Sequence, residues 1–166
     1  MKAMRKIGLA VLAIVAFGVG AAGAQGVKDQ LVGVWSIVTV VVEQPDGKKV
    51  EPFGPAPQGQ FIFTADGHFS ANIIRPGRPK FASNNRIAGT PEENKEAVAG
   101  NISVFGTYTV GSDGSVTQHI VGSSFPNWDG TTQKRHARIT GDEMTWTNPT
   151  PAIGAGNVVQ ILKRAK

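Results

Sequence analysis

The hydrophobic and polar residues of this chain follow a pattern typical of β-strands. The longest run, from Leu31 to Glu43, opens with a glycine and a tryptophan and continues with β-branched residues. Val, Ile and Thr are restricted at χ1 and fit a pleated, partly buried surface. We therefore predict a first strand over 31–43, around which the rest of the fold is organised.

A β-hairpin is predicted next, on either side of Ala65-Asp66-Gly67. The strands Gln60–Thr64 and His68–Arg75 flank this turn, and Gly67 suits a left-handed turn position. Pairing Phe63 with Phe69 gives an apolar inner face and a polar outer face. The inner face then carries Phe61, Phe63, Phe69, Ala71 and Ile73, with Arg75 in the same phase.

One helix is predicted, over 91–99. Thr90 is a suitable N-cap, Pro91 suits the first helical position, and Glu93 can close a capping box. Gly100 ends the helix. Because its apolar content is low, we expect it to lie across the barrel, either as a lid that moves when a ligand enters or as a fixed plug.

The remaining apolar runs complete an all-β fold. Turn-forming residues separate strands predicted at 102–110, 115–121, 133–140, 143–147 and 157–164. These patterns predict a single eight-stranded antiparallel up-and-down barrel, with the helix between the third and fourth strands. The predicted inner face includes Trp35, Ile37, Phe61, Phe63, Phe69, Ile73, Tyr108 and Trp146.

The first 24 residues have the pattern of a secretory signal peptide. A basic start is followed by an uncharged apolar stretch from Ile7 to Ala22 and by the small residues Ala22-Gly23-Ala24. We predict a signal peptide over 1–24 and a single β-barrel domain over 25–166. The mature protein would be periplasmic or extracellular, with no membrane anchor.

Removing this segment changes the charge balance. Three of the 17 basic residues lie in it, so 14 remain against 12 acidic residues, a net charge of +2. With no dense basic run, nucleic-acid binding is not expected. The chain has no cysteine, so its core must stabilise it without disulfides.

Particular residues resemble known barrels. With Gly33-Val34-Trp35 in the first strand and Lys163-Arg164 ending the last, the chain resembles the lipocalins and calycins. That resemblance implies structural roles for Gly33 and Trp35 at the closed end, with Arg164 packed over the tryptophan ring.

Segments along nearly the whole mature chain resemble the bacterial lipocalin-like domain family. They are Gly59–Arg75, Pro79–Arg86, Gly106-Thr107-Tyr108 and Gly122–Gly130 leading to Gln133 and Arg135. The T-D-Y turn, the disulfide and the long helix after the barrel of better-known lipocalins are missing from the sequence. Their ligand types are therefore not transferred to this chain.

Aromatic and polar residues in the predicted lumen are candidate ligand contacts. A guanidinium in an apolar phase needs a partner, so Arg75 would hold an acidic ligand at the barrel mouth or else reach solvent. The candidate ligand-binding residues are Phe61, Phe63, Phe69, Arg75, Tyr108, His119, Trp128 and Arg135.

Three of these candidates form a possible polar cluster. His119 and Arg135 could face one another on neighbouring strands, and Tyr108 could join them. Such a cluster could fix the polar end of a ligand, act as catalytic residues of an isomerase or cyclase, form an internal hydrogen-bonded network or lie outward as a polar stripe. Strand phase separates these alternatives.

Other chemistry has little support in the sequence. The three histidines have no ligand spacing on one element, so we predict no metal site and no cofactor. There is no G-x-S-x-G motif for a hydrolase. We therefore predict an exported protein, a monomer or weak dimer, that binds a small, partly apolar and potentially acidic molecule. The alternatives are a barrel enzyme or a structural or protein-binding barrel with a filled lumen.

Overall fold

The computed structural model describes residues 26–166. The predicted signal peptide over 1–24 lies outside the described residues. Within the described part of the chain, no helix is long and apolar enough to cross a membrane.

The described residues form one closed antiparallel barrel, which confirms the predicted fold class. Nine strands are ordered β2-β1-β3-β4-β5-β6-β7-β8-β9, and pairing of β1 with β9 closes the sheet. Eight strands make the barrel, and the short β2 is an extra strand beside β1. The strands are β1 (Gly33–Glu43), β2 (Lys49–Val50), β3 (Gln58–Phe63), β4 (His68–Ile74), β5 (Asn101–Val110), β6 (Ser115–Ser123), β7 (Thr132–Thr140), β8 (Glu143–Asn148) and β9 (Asn157–Arg164).

The hairpin of β3 and β4 has the predicted register. Phe63 pairs with Phe69, and Phe61 pairs with Ala71. All four side chains are buried, whereas His68 is exposed on the opposite face. The alternation of apolar and polar residues therefore fixed which face of this hairpin lines the lumen.

The barrel has one end with short connections, which we call the closed end. The turns there span residues 64–67, 111–114 and 141–142. Helical residues 26–31 lie against this end, and the fully buried Leu31 accepts a hydrogen bond from Trp35 Nε1 at 2.8 Å.

Arg164 completes the closed end as the resemblance implied. Its guanidinium carbon lies 4.2 Å from the centre of the Trp35 ring. Its Nη1 donates to Val32 O at 3.1 Å, and its Nη2 donates to Gln30 O at 2.8 Å. Gly33 has φ +130°, and a Cβ there would lie 3.1 Å from Arg164 Nη1, so both conformation and space favour glycine.

The opposite end has long connections and is called here the open end. They span residues 44–57, 75–100, 124–131 and 149–156. The second of these contains the helix Pro91–Ala99, which begins with the predicted capping box of Thr90 and Glu93. The third contains a 3₁₀-helix, Pro126–Trp128.

Aromatic side chains fill the lumen towards the closed end. The Phe63 ring centre lies 5.3 Å from that of Tyr108, 5.4 Å from that of Trp146 and 6.3 Å from that of Phe69. Such packing combines large apolar burial with favourable ring geometry. This half of the barrel is therefore a solid core.

Candidate ligand-binding site

A cavity enters the barrel from the open end. Its outer chamber has a volume of about 240 Å³, and its inner chamber has a volume of about 50 Å³. The two chambers adjoin one another, as their shared lining residues show. These are Ile73, Ile102, Trp128, Asn148 and Gln160. Together they are suited to one small ligand.

The outer chamber is mainly apolar. Phe53, a buried residue of the loop after β2, forms part of its wall, and Ile153 of the last long loop forms another part. Val98 and Ala99 at the end of the helix line the same chamber. The long connections of the open end therefore supply an apolar entrance.

The inner chamber is more polar, because four neighbouring strands carry polar residues at inward positions. These are Gln118 on β6, Arg135 on β7, Asn148 on β8 and Gln160 on β9. All four side chains are buried. Nearer the closed end, inward positions of the same strands carry apolar residues instead, namely Val116, Ile139, Met144 and Leu162.

Arg135 is the charged residue of the inner chamber. It is only 4% exposed, and its guanidinium donates to Lys134 O at 2.8 Å and to Gln133 Oε1. Both acceptors are neutral, and among the described residues no carboxylate forms an ion pair with it. Burial lowers the pKa of Arg135 to about 10, so the side chain keeps its positive charge at neutral pH.

Gln160 supplies a hydrogen-bond acceptor in the same chamber. It pairs across the sheet with Trp146, and it lines both chambers. Its Oε1 is buried and accepts no hydrogen bond from any described residue. Buried polar atoms usually have a partner, and leaving one without a partner costs about 1–3 kcal/mol.

Arg75 is placed at the open end but does not line either chamber. Its Nη2 forms an ion pair with Glu96 Oε2 of the helix at 2.5 Å. The structure therefore gives the guanidinium a partner within the protein, and the pair ties the helix to the end of β4.

The other predicted ligand contacts divide between the cavity and the solid core. Phe61 and Arg135 line the inner chamber, and Trp128 lines both chambers. Phe63, Phe69 and Tyr108 do not border either chamber, because they pack together nearer the closed end. Tyr108 donates its hydroxyl hydrogen bond to Thr64 O at 2.9 Å, and burial is the main cause that raises the pKa of Tyr108.

The predicted cluster of His119, Tyr108 and Arg135 does not form. His119 is exposed on the outer face, where Nδ1 lies 3.1 Å from Thr132 Oγ1, whereas Tyr108 and Arg135 point inward. His119 pairs with Thr132, and Arg135 pairs with Val116, so the two residues do not face one another. The prediction that His119 contacts a ligand was therefore wrong, because side chains alternate along β6 and Gln118 takes the inward position.

Sequence reasoning also missed several cavity residues. Gln118, Asn148 and Gln160 were not selected, although each stands in the inward phase of a strand that is otherwise apolar. That alternation was a usable signal. Within residues 26–166, no three histidine or acidic side chains come together in a group that could hold a metal ion.

Comparison with known proteins agrees with this architecture. The family model described as "lipocalin-like domain" matches residues 32–162. One similar protein is a 4'-hydroxy-3'-methoxypropiophenone carrier protein from Aspergillus oryzae (strain ATCC 42149 / RIB 40). The two are 33% identical over 94 residues, which cover 52% of this chain and 85% of the relative. From the barrel and from the match along most of its length, this chain belongs to the lipocalin-like domain family.

Proposed function

We propose that this protein is an exported carrier that holds a small molecule in the barrel lumen. The apolar part of the ligand would lie in the outer chamber, and a polar or acidic end would lie at Arg135. The observation that carries the proposal is the cavity itself, which leads from an apolar entrance to a buried cation.

The chemistry of the two chambers supports a partly apolar ligand. Apolar walls favour a hydrocarbon or aromatic skeleton, and a few buried polar groups fix its orientation. The relative from Aspergillus is named as the carrier of a hydroxylated and methoxylated aryl ketone, which is a compound of this general kind. A shared barrel does not transfer that compound to this chain. The carrier role named for the relative supports transport rather than catalysis as the proposed role.

Export is proposed from the N-terminal sequence. The basic start, the apolar stretch and the Ala22-Gly23-Ala24 site are typical of a cleaved signal peptide. The mature carrier would act in the periplasm or outside the cell, as a monomer or weak dimer. Cleavage after Ala24 is tested by measuring the mass of the protein purified from its own host. We expect the mass of a chain that begins at Gln25.

The carrier role is tested by native mass spectrometry of protein purified from its own host. We expect a small molecule that leaves when the protein unfolds. The variant Ile102→Trp should lack it, because the larger ring fills the wall shared by the two chambers. Val121→Trp is the matched control, since Val121 is 64% exposed and does not line either chamber.

Circular dichroism must show that both variants are folded. Recombinant protein provides a second measurement, the binding of propiophenone followed by the fluorescence of Trp128 and Trp146. A wild-type protein that carries no small molecule and does not bind this ketone would contradict the proposed function.

A further inference from the structure

Two polar groups of the inner chamber lack a matching partner among the described residues, namely the charge of Arg135 and the side-chain oxygen of Gln160. Arg135 lines only the inner chamber, whereas Gln160 lines the inner and the outer chamber. A ligand that spans the two chambers can therefore contact both groups.

The two groups require opposite partners. Arg135 carries a positive charge with no carboxylate partner among the described residues, and in a low-dielectric cavity an anion would be attracted strongly. Gln160 Oε1 accepts no hydrogen bond within the described chain, so it needs a donor such as a hydroxyl or an N–H group. A hydrocarbon ligand would satisfy neither group.

We propose that the ligand is a hydroxy acid or a related acid with an N–H donor, bound with its acid group on Arg135 and its donor on Gln160 Oε1. The inference rests on the proposed carrier function and names the ligand class of the same site. The acid group and the donor lie in the inner chamber, and the apolar skeleton lies in the outer chamber.

The surroundings of Arg135 support the anionic end. Its bonds to Lys134 O and Gln133 Oε1 hold the guanidinium but leave its charge uncompensated. Gln118, also buried, lies on the same chamber wall and can donate a further hydrogen bond to an anion from its amide group. Guanidinium groups frequently bind a carboxylate through two parallel hydrogen bonds.

Four matched compounds test the two contacts separately. They are 3-hydroxy-3-(2-naphthyl)propanoate, 3-(2-naphthyl)propanoate and the primary amides of both acids. Titration calorimetry gives the dissociation constant of each for the wild type. We expect the hydroxy acid to bind most tightly, with the acids about 30-fold tighter than the amides and the hydroxyl contributing about 5-fold.

Two variants assign each preference to its residue. Arg135→Met should remove the preference for acids over amides, while Gln160→Met should remove only the preference for the hydroxyl group. Val121→Ala on the outer face is the control and should leave all four dissociation constants unchanged. A merely structural role of either residue would weaken all four compounds alike.

The outcomes separate this inference from the carrier function. If the acids and amides bind the wild type equally, or if the hydroxyl contributes nothing, the ligand class is overturned and the carrier function stands. If none of the four compounds binds and propiophenone also fails to bind, both the carrier function and the ligand class are rejected.

Discussion

Arg164 in the closed half of the barrel and Arg135 in the open half are held very differently. Arg164 at the closed end stacks on Trp35, donates to two backbone carbonyl groups and lies 3.7 Å from Asp142 Oδ1. Its side chain is 33% exposed, so its charge is also partly hydrated. Arg135 is 4% exposed and has only neutral acceptors among the described residues.

From this difference we expect the same type of side chain to stabilise the closed half of the barrel and to destabilise the open half. Burial lowers the pKa of Arg135 from its ordinary value to about 10. At 1.36 kcal/mol per pKa unit, holding the charge in the folded protein costs roughly 3 kcal/mol. A cost of this kind is expected at a binding site, where a ligand supplies the missing partner.

The largest expected effect is the loss of stability on changing Trp35 to alanine. Trp35 is fully buried, and its replacement by alanine removes both the stacking contact with Arg164 and the hydrogen bond from Nε1 to Leu31 O. We expect the free energy of unfolding to fall by about 3–5 kcal/mol, measured by urea denaturation. Trp128→Ala at the open end is the control, and a loss as large as that of Trp35→Ala would contradict the distinction between the two halves.

A smaller effect of opposite sign is expected for Arg135→Met. Replacing a buried charge that has no ionic partner by an apolar side chain is often stabilising. Because the variant also gives up the bonds to Lys134 O and Gln133 Oε1, we expect a net gain of about 1–2 kcal/mol in urea denaturation without ligand. Arg164→Met should instead destabilise the protein. A loss of stability in Arg135→Met would indicate a structural role.

The dependence of this gain on pH sharpens the comparison. The pKa of Arg135 is about 10 in the folded protein and higher when the side chain is exposed, so between these two pKa values the unfolded chain binds more protons. Stability of the wild type relative to Arg135→Met should therefore rise with pH in this window. The advantage of the variant should be constant below about pH 9 and shrink above pH 10, and a constant difference up to pH 11.5 would argue against a buried charge.

The smallest effect concerns the helix at the open end. It has no buried residue, and its ion pair between Arg75 and Glu96 is partly exposed. Arg75→Gln should lower the global stability by no more than about 0.5 kcal/mol. Hydrogen exchange should nevertheless become faster in Val98–Gly100, and Lys49→Gln, which removes another surface ion pair, is the control.

The same exchange experiment separates a lid from a plug. A lid predicts faster exchange in Val98–Gly100 than in β5 of the wild type, and slower exchange when ligand is added. Equal protection of both segments, unchanged by a bound compound, would identify the helix as a fixed plug.

The sequence predicted the barrel because its information is local and periodic. Alternation in β3 and β4 fixed the faces of Phe61 and Phe69, and Thr90 with Glu93 fixed the start of the helix. The Gly33 and Trp35 motif fixed the closed end through a resemblance. The two-residue strand β2 was missed, since a strand of that length has no detectable period.

The site was harder to predict because it depends on where the packed core stops. Phe63, Phe69 and Tyr108 have the inward phase of lumen residues, but depth along the barrel decides whether such residues pack or line a cavity. The phase of His119 was misjudged, although Gln118 and not His119 shares the inward phase with Val116 and Ile120. The partner of Arg75 lies 21 residues away on the helix, beyond local periodicity.

The seam between β1 and β9 has a consequence for how the chain folds. It joins the first and last strands, and the hydrogen bond from Arg164 to Gln30 O links residues that are 134 positions apart. The hairpins β3–β4, β5–β6 and β7–β8 need only nearby residues and can form early, whereas the seam must wait until residues 157–164 have been synthesised. Until then β1 and β8 present unpaired backbone edges, so closure of the ring is the step at which this barrel is most exposed to misassembly with other chains.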